Sequence, residues 1–297
     1  MLTYNRETMV SRAIESILAQ TLRDFEFIIV NNGSTDRSGA IAEDYACGDD
    51  RIRVIHRKKG NIGSGRNTGL DAAIGEYVAF IDDDDWCEPD FLEFLYDLAI
   101  RHDAQVSICG ATDKVFDEEI VMTAEEALIE LLMRKRYNMA FPTKLFRNEL
   151  AEKLRFPDEG KFDDISLMYK LLAYSNMVTY HGLPKYSFHR HDGNNSAWTT
   201  DHRLLTCDIL DEYLLMYRTR TVWLSERFPK NAEAWRYFEW SFMISMMEKI
   251  NRLGIKGCQL QYDAMIYELK ENIQEFAQSR FIQDFETEWI RKYVEVV

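Results

Sequence analysis

The sequence predicts an α/β fold: an open, mostly parallel sheet flanked by helices, followed by an all-helical carboxyl-terminal region. Three observations predict it. Apolar runs of strand length alternate with stretches of helical periodicity from the start of the chain to about Cys109. Two polar stretches, NNGSTD and DDDDW, fall directly after strand-like runs. From about Thr200 onward, apolar residues recur at helical spacing almost without a break.

Taken in order, MVSRAIESILAQT sets Val10, Ala13, Ile14, Ile17 and Leu18 at helical spacing, and DFEFIIV reads as a buried strand. RIRVIH is the next strand, then a helix over Arg66 to Ala73, the strand EYVAFI, a helix from about Pro89 to Arg101, and the strand QVSIC. Alternation of this kind implies parallel strands joined by right-handed crossovers, with ligands at the carboxyl ends of the strands. Past Cys109 the pattern is mixed. Thr123 and Glu126 form a capping-box signature, NMAFPTKLF is strand-like and ISLMYKLLAYS is helical. Trp235, Phe238, Phe242, Met246, Ile250 and Leu253 then form one stripe, expected to pack a helical core. The expected domains are residues 1–198, in halves of about 1–110 and 111–198, and a helical region 199–297.

The 297 residues are 46% hydrophobic and 29% charged, enough for a substantial core. A formal charge of -14 argues against nucleic acid as the partner, because phosphate backbones are held by Lys and Arg patches. Cys47, Cys87, Cys109, Cys207 and Cys258 are odd in number and show no metal-ligand spacing, which fits a reducing cytoplasm. No signal peptide precedes Tyr4 and no apolar run reaches membrane-spanning length. A cytoplasmic protein is therefore expected, with peripheral membrane contact and a homodimer left open.

Asp82, Asp83, Asp84 and Asp85 follow the strand EYVAFI without a break. A run of acids is often only a solvated loop. At a strand end of an open α/β sheet it also suits a hard cation such as Mg²⁺ or Mn²⁺. A diphosphate meeting bare carboxylates at about 4 Å is repelled by about 4 kcal/mol per unit charge pair at an effective dielectric of about 20. A divalent ion reverses that sign, so the cluster reads as a metal bridge between an acidic protein and a phosphorylated small molecule.

These residues resemble the family 2 glycosyltransferases, inverting enzymes of the GT-A fold, a Rossmann-like sheet that binds nucleotide-diphospho-sugars. The resemblance covers about Leu2 to Trp198. It is carried, in the family's order, by TYN at Thr3 to Asn5, DFEFIIVNNGSTD, NIGSGRNTGLDAAIGEYVAFIDDDDW, FDD at Phe162 to Asp164, and FHRHDGNNS at Phe188 to Ser196. It implies a nucleotide-sugar half and an acceptor half within residues 1–198. By the resemblance, Thr3, Tyr4 and Asn5 close over the nucleoside, Asn32 faces the base and Arg66 holds the base or diphosphate. Asp82 and Asp84 are the two acids of the family's DxD motif, with Asp84 the direct ligand of Mn²⁺ or Mg²⁺ and Asp83 a ribose or diphosphate neighbour. Asp164 is the implied general base, with Asp163 beside it, and His191 completes the metal or diphosphate site.

Asp163 and Asp164 also suit the first turn of a helix, where acids are favoured. Two departures stand out. The family's first strand, central in its sheet, precedes the TYN region, whereas here Met1 lies only two residues before Thr3. Loss of that strand would leave unpaired edges unless the fold compensates. Asn31 and Asn32 stand where relatives carry at least one Asp. The implied function is sugar transfer from a nucleotide-diphospho-sugar, of the uridine or thymidine type, to a hydroxyl of a glycan or lipid-linked glycan in bacterial cell-surface synthesis. A catalytically silent sugar-nucleotide or glycan-binding relative and a metal-dependent nucleotidyltransferase are the alternatives.

Overall fold

A computed structural model describes residues 1–111, 115–157, 163–191, 194 and 201–295, with the side chain of Asp163 outside that description. It divides into two compact units, Met1–His189 and Arg190–Val297.

The first unit opens with β1 (Leu2–Thr3), α1 (Val10–Leu18), β2 (Phe27–Asn31), α2 (Ser38–Ala46), β3 (Ile52–His56) and α3 (Ile62–Ala72). Strands β1, β2 and β3 are parallel neighbours. Every residue of β2, FIIVN, is buried, as expected of an inner parallel strand covered on both faces. Val10, Ala13, Ile14 and Ile17 form the buried face of α1 in the core beside this sheet. Each fully buried Val or Ile contributes about 1.5–3 kcal/mol.

The rest of the unit is β4 (Tyr77–Ala79), β5 (Trp86–Cys87), α4 (Phe91–Arg101), β6 (Val106–Ala111), β7 (Phe116–Thr123), α5 (Ala124–Met133), β8 (Lys144–Arg147), α6 (Asn148–Ala151), α7 (Asp163–Tyr174) and β9 (Met177–Ser187). These strands run in the order β4-β8-β6-β9-β5, with β7 also on β9. The β6–β9 pair is parallel, and antiparallel ladders surround it at β4–β8, β6–β8, β5–β9 and β7–β9. The α/β class and the open sheet stand as expected. The central gap is closed by β1. Leu2 and Thr3 pair with Val30 and Asn31, and Leu2 bridges to Asp82, which carries the sheet across to the acid run.

The expected capping box forms: the Thr123 hydroxyl accepts from the Glu126 N–H, and the Glu126 carboxylate accepts from the Thr123 N–H at 2.8 Å. The strand expected over NMAFPTKLF shrinks to β8, because Thr143 turns into the left-handed region at φ 80° just before it. Strand β9 went unread in the sequence. It carries Pro184 within its length, and the β6–β9 register shifts where Pro184 faces Gly110. Proline is tolerated inside a sheet at such bulges.

The second unit is helical among its described residues, with principal helices Cys207–Arg227, Ala232–Leu253 and Gln259–Glu271. The expected stripe lies on the second of these, where Trp235, Phe238, Met246 and Ile250 are buried. Among the described residues no helix is long and apolar enough to cross a membrane.

Candidate functional site

The four acids after β4 have four different environments. Asp82 has a side chain 41% exposed, and its backbone N–H donates to the Tyr186 hydroxyl at 3.1 Å. Asp83 accepts the Tyr4 N–H at 3.1 Å and lies 3.8 Å from the Arg6 guanidinium. Burial, followed by the charge of Asp84, pushes the Asp83 carboxyl up to about 7, against the Thr3 hydroxyl, Arg6 and the Tyr4 N–H. Asp84 is buried, and its carbonyl accepts from Arg12 Nη2 at 2.6 Å. Arg12 also lies 4.1 Å over the Trp86 ring, so this α1 side chain fixes the acid run at two points.

Asp85 points inward. It accepts from the Tyr186 hydroxyl at 2.8 Å and from the His189 N–H at 2.7 Å, and burial pushes it up to about 7. Tyr186 thus accepts from Asp82 and donates to Asp85 at the end of β9. Neither Tyr186 nor Arg12 was singled out in the sequence. Arg12 is one basic residue on an amphipathic helix, and Tyr186 lies on the unread strand.

Arg66 gathers the acids of two segments. Its Nη2 donates to Asp82 at 3.1 Å and its Nη1 donates to Asp164. The guanidinium is 8% exposed and has the rings of Phe80 and Phe156 at 5.6 and 5.5 Å. The helix that carries it is shaped for this contact. Asn61 caps α3 by accepting the Ser64 N–H at 2.8 Å and donates to the Pro157 carbonyl at 2.9 Å. Asn67 donates to the Phe156 carbonyl and accepts the Phe156 N–H, both at 3.0 Å. A Cβ on Gly63 would stand 2.4 Å from the Pro157 carbonyl oxygen, so only glycine admits this approach. The motif NIGSGRN therefore straps Phe156–Pro157 to α3 on the chain's way to Asp164.

The residues expected to close over the nucleoside lie near the acids, where Asp83 accepts the Tyr4 N–H. Thr3 is fully buried, the Lys59 ammonium lies 4.5 Å over the Tyr4 ring, and Asn5 turns left-handed at φ 53°. Asn5 Oδ1 accepts the Thr35 N–H at 2.8 Å, and the Asn5 N–H donates to the Ser34 hydroxyl at 3.1 Å, so NNGSTD clamps the TYN turn. Asn32 spends both ends of its amide on Gly60, donating to its carbonyl at 2.9 Å and accepting its N–H at 3.1 Å. In this arrangement Asn32 holds the turn ahead of α3, and pairing with a base requires those two bonds to be exchanged. Asn31 accepts the Ser34 N–H at 3.0 Å and sets its amide against His56 Nδ1 at 2.9 Å.

The structure thus gathers Thr3, Tyr4, Asn5, Arg66, Asp82, Asp83, Asp84 and Asp164 in one unit. His191 falls in the second unit, where its N–H donates to Asn194 at 2.6 Å. The side chain of Asp163, Phe162 and the greater part of DGNNS lie outside the described residues. Among the described residues no three His, Cys, Asp or Glu side chains form a preformed metal cage. Mg²⁺ is also held by one or two protein carboxylates with substrate phosphate completing the shell, and Asp82, 41% exposed, and Asp84 are the residues that would supply them.

A family model described as Glycosyl transferase family 2 matches residues 1–157, more than half of the chain. The chain belongs to glycosyl transferase family 2. The matched part of this family 2 chain takes in the TYN turn, NNGSTD, Arg66 and the four acids, and ends before Asp164. The chain is 34% identical over 203 residues to the putative glycosyltransferase EpsH of Bacillus subtilis, covering 63% of this chain and 59% of that protein. It is 37% identical over 177 residues to the uncharacterized glycosyltransferase EpsJ of the same organism, covering 55% and 52%. It therefore spans between half and three-fifths of the length of these relatives. Among solved structures, Staphylococcus aureus TarS 1–349 in complex with UDP-GlcNAc superposes with a TM-score of 0.70 at 21% identity, covering 93% of this chain and 80% of that one. That likeness establishes the GT-A type of fold.

Proposed function

We propose that this family 2 chain is an inverting transferase that moves a sugar from a nucleotide-diphospho-sugar to a hydroxyl of a glycan or lipid-linked glycan in bacterial cell-surface synthesis. One observation carries the reading: Arg66 joins the acids at the strand end to Asp164, so donor handling and proton acceptance meet at one guanidinium. The TYN turn forms the nucleoside wall. A Mn²⁺ or Mg²⁺ ion bound through Asp82 and Asp84 would neutralise charge on the departing diphosphate. Asp164 accepts the proton of the acceptor hydroxyl as it attacks, a contribution worth about 10²–10⁴ in rate. While Arg66 holds Asp164, that carboxylate is spent. A diphosphate arriving beside Asp82 competes for the guanidinium and releases Asp164 to act as base.

The donor is of the uridine or thymidine type. Asn31 and Asn32 leave this strand end without a carboxylate to meet the two adjacent donors of guanine. Incubation with a panel of nucleotide-sugars in Mn²⁺, followed by mass spectrometry, tests the function. Loss of a uridine or thymidine diphospho-sugar with release of the diphosphate is expected, and survival of every donor, with and without glycan acceptors, refutes it.

A further inference from the structure

A cavity in the first unit, of about 110 Å³, lies at the end of β6 and the start of β8, lined there by Cys109 and Thr143 and beyond α5 by Arg134, Lys135, Arg136 and Asn138. A water occupies about 30 Å³ of liquid, so the space takes a few waters or one small oxyanion. Ala111 and Tyr137, whose hydroxyl is spent on the Ala127 carbonyl, complete the lining, and Arg134, Lys135, Arg136, Asn138 and Thr143 bring donors to it. Arg134 and Lys135 are exposed and form no ion pair with any described residue, in a chain of net charge -14. Arg136 is paired with Glu118 and Glu130. Asn138 spends its carbonyl on the Ala140 N–H at 3.0 Å, which leaves its amide to donate. The Thr143 hydroxyl accepts from the Lys144 ammonium at 3.1 Å, so its own proton points elsewhere.

Beside this lining, the Lys144 ammonium is fully buried, with the Ala140 carbonyl at 2.7 Å as its other acceptor. Two acceptors leave one of its three protons unmatched. Asp164 is near enough for its charge to raise the ammonium against the effect of burial. Arg134 ends α5 as a left-handed cap at φ 54°, and Thr143 is held at φ 80° on the other side of the lining. A β-branched residue in the left-handed region is strained and persists where the surroundings enforce it, commonly at functional sites.

We propose that this cavity binds an esterified phosphate of the acceptor, with Arg134, Lys135, Asn138 and Thr143 as its donors. The proposal rests on the transferase reading: Lys144, which donates to the Thr143 hydroxyl of the lining, is also the amine on which the charge of Asp164 acts.

The test is titration calorimetry of the full chain with sn-glycerol 3-phosphate, inorganic phosphate and glycerol, repeated on R134Q/K135Q. Both replaced residues are exposed, where substitution leaves stability nearly unchanged. Glycerol phosphate is expected to bind, glycerol not to bind, and the double variant to lose about tenfold or more in affinity. Equal affinity in wild type and variant overturns the proposal, and so does binding of inorganic phosphate without glycerol phosphate, which makes this a free-phosphate site. Uridine and thymidine diphosphates with Mn²⁺, titrated into the same samples, read the donor site separately. Failure of both uridine and thymidine diphosphate beside intact glycerol phosphate binding refutes the transferase reading and leaves a phosphate-ester site without an acceptor role, and the converse refutes the acceptor site alone.

Discussion

Arg66 Nη1 donates to the carboxylate of Asp164, 98 residues further along the chain. Asp164→Asn keeps a carbonyl for Arg66 to donate to and removes the capacity to accept a proton. Nucleoside diphosphate binding is expected to stay within a few-fold of wild type, while transfer falls by about 10²–10⁴. Calorimetry and turnover on the same preparation separate the two. Near-normal turnover would reduce Asp164 to a first-turn acid of α7 and pass the role of base to Asp163.

Asp84→Ala removes an anionic group from the strand end while leaving its backbone carbonyl, which Arg12 grips, in place. Metal-dependent binding of uridine diphosphate is expected to vanish, because the diphosphate then meets the remaining acids without a bridging ion. Calorimetry with and without Mn²⁺ decides it. Unchanged, still metal-dependent affinity rules Asp84 out as a ligand.

Tyr186→Phe tests the inner tie of the acid run. The hydroxyl accepts from the Asp82 N–H and donates to Asp85, and the tyrosine is fully buried. Its removal leaves a buried carboxyl with one donor fewer and a backbone N–H without its acceptor, at a cost of about 1–3 kcal/mol. Urea unfolding measures that loss. A variant as stable as wild type would mean that Asp85 is held by His189 alone.

The sheet and the acids were legible because periodicity and strand ends are local signals. FIIV, IRVIH and VSIC lie within the strands read from the sequence, while Asn31, read as the start of the loop, ends β2, and DDDD follows a strand as read. What stayed hidden was pairing at long range. The ladder of β7 on β9 joins residues about 60 positions apart, and Pro184 disguises β9 as a turn. The same limit hid the division of labour among the four aspartates. Only the arrival of Tyr186 and His189 from β9 and beyond makes Asp85 an inward tie. The family resemblance implied that Asn32 faces the base, and its bonds to Gly60 are invisible without the fold.

Those bonds set the expectation for base choice. Uridine and thymidine diphosphates are expected to bind tighter than guanosine diphosphate in Mn²⁺, because no carboxylate at positions 31 and 32 matches guanine's paired donors. Asn32→Asp supplies that carboxylate, and it also turns an oxygen toward the Gly60 carbonyl where an amide now donates. The variant is expected to narrow the gap between the ligands and to lose about 1–3 kcal/mol of stability. Competition calorimetry and urea unfolding check the two parts. Guanosine diphosphate binding tightest to wild type would sink the base assignment.

Lys144 gives a pH dependence of defined sign. Burial lowers its ammonium from the ordinary 10.5 to about 8, only partly opposed by Cys109 and Asp164. Between those values the unfolded chain holds a proton that the native chain has released, so native stability rises with pH across the window. The gain approaches about 3 kcal/mol at its upper end. Below pH 8 the cost of the buried charge is fully present. Lys144→Met has nothing to titrate there, so the stability of wild type relative to the variant should climb between pH 7.5 and 10.5 in urea unfolding. A flat difference would mean that the amine keeps its ordinary pKa. Saturating glycerol phosphate should move the rise to higher pH, because an anion beside Thr143 favours the charged amine that donates to that hydroxyl.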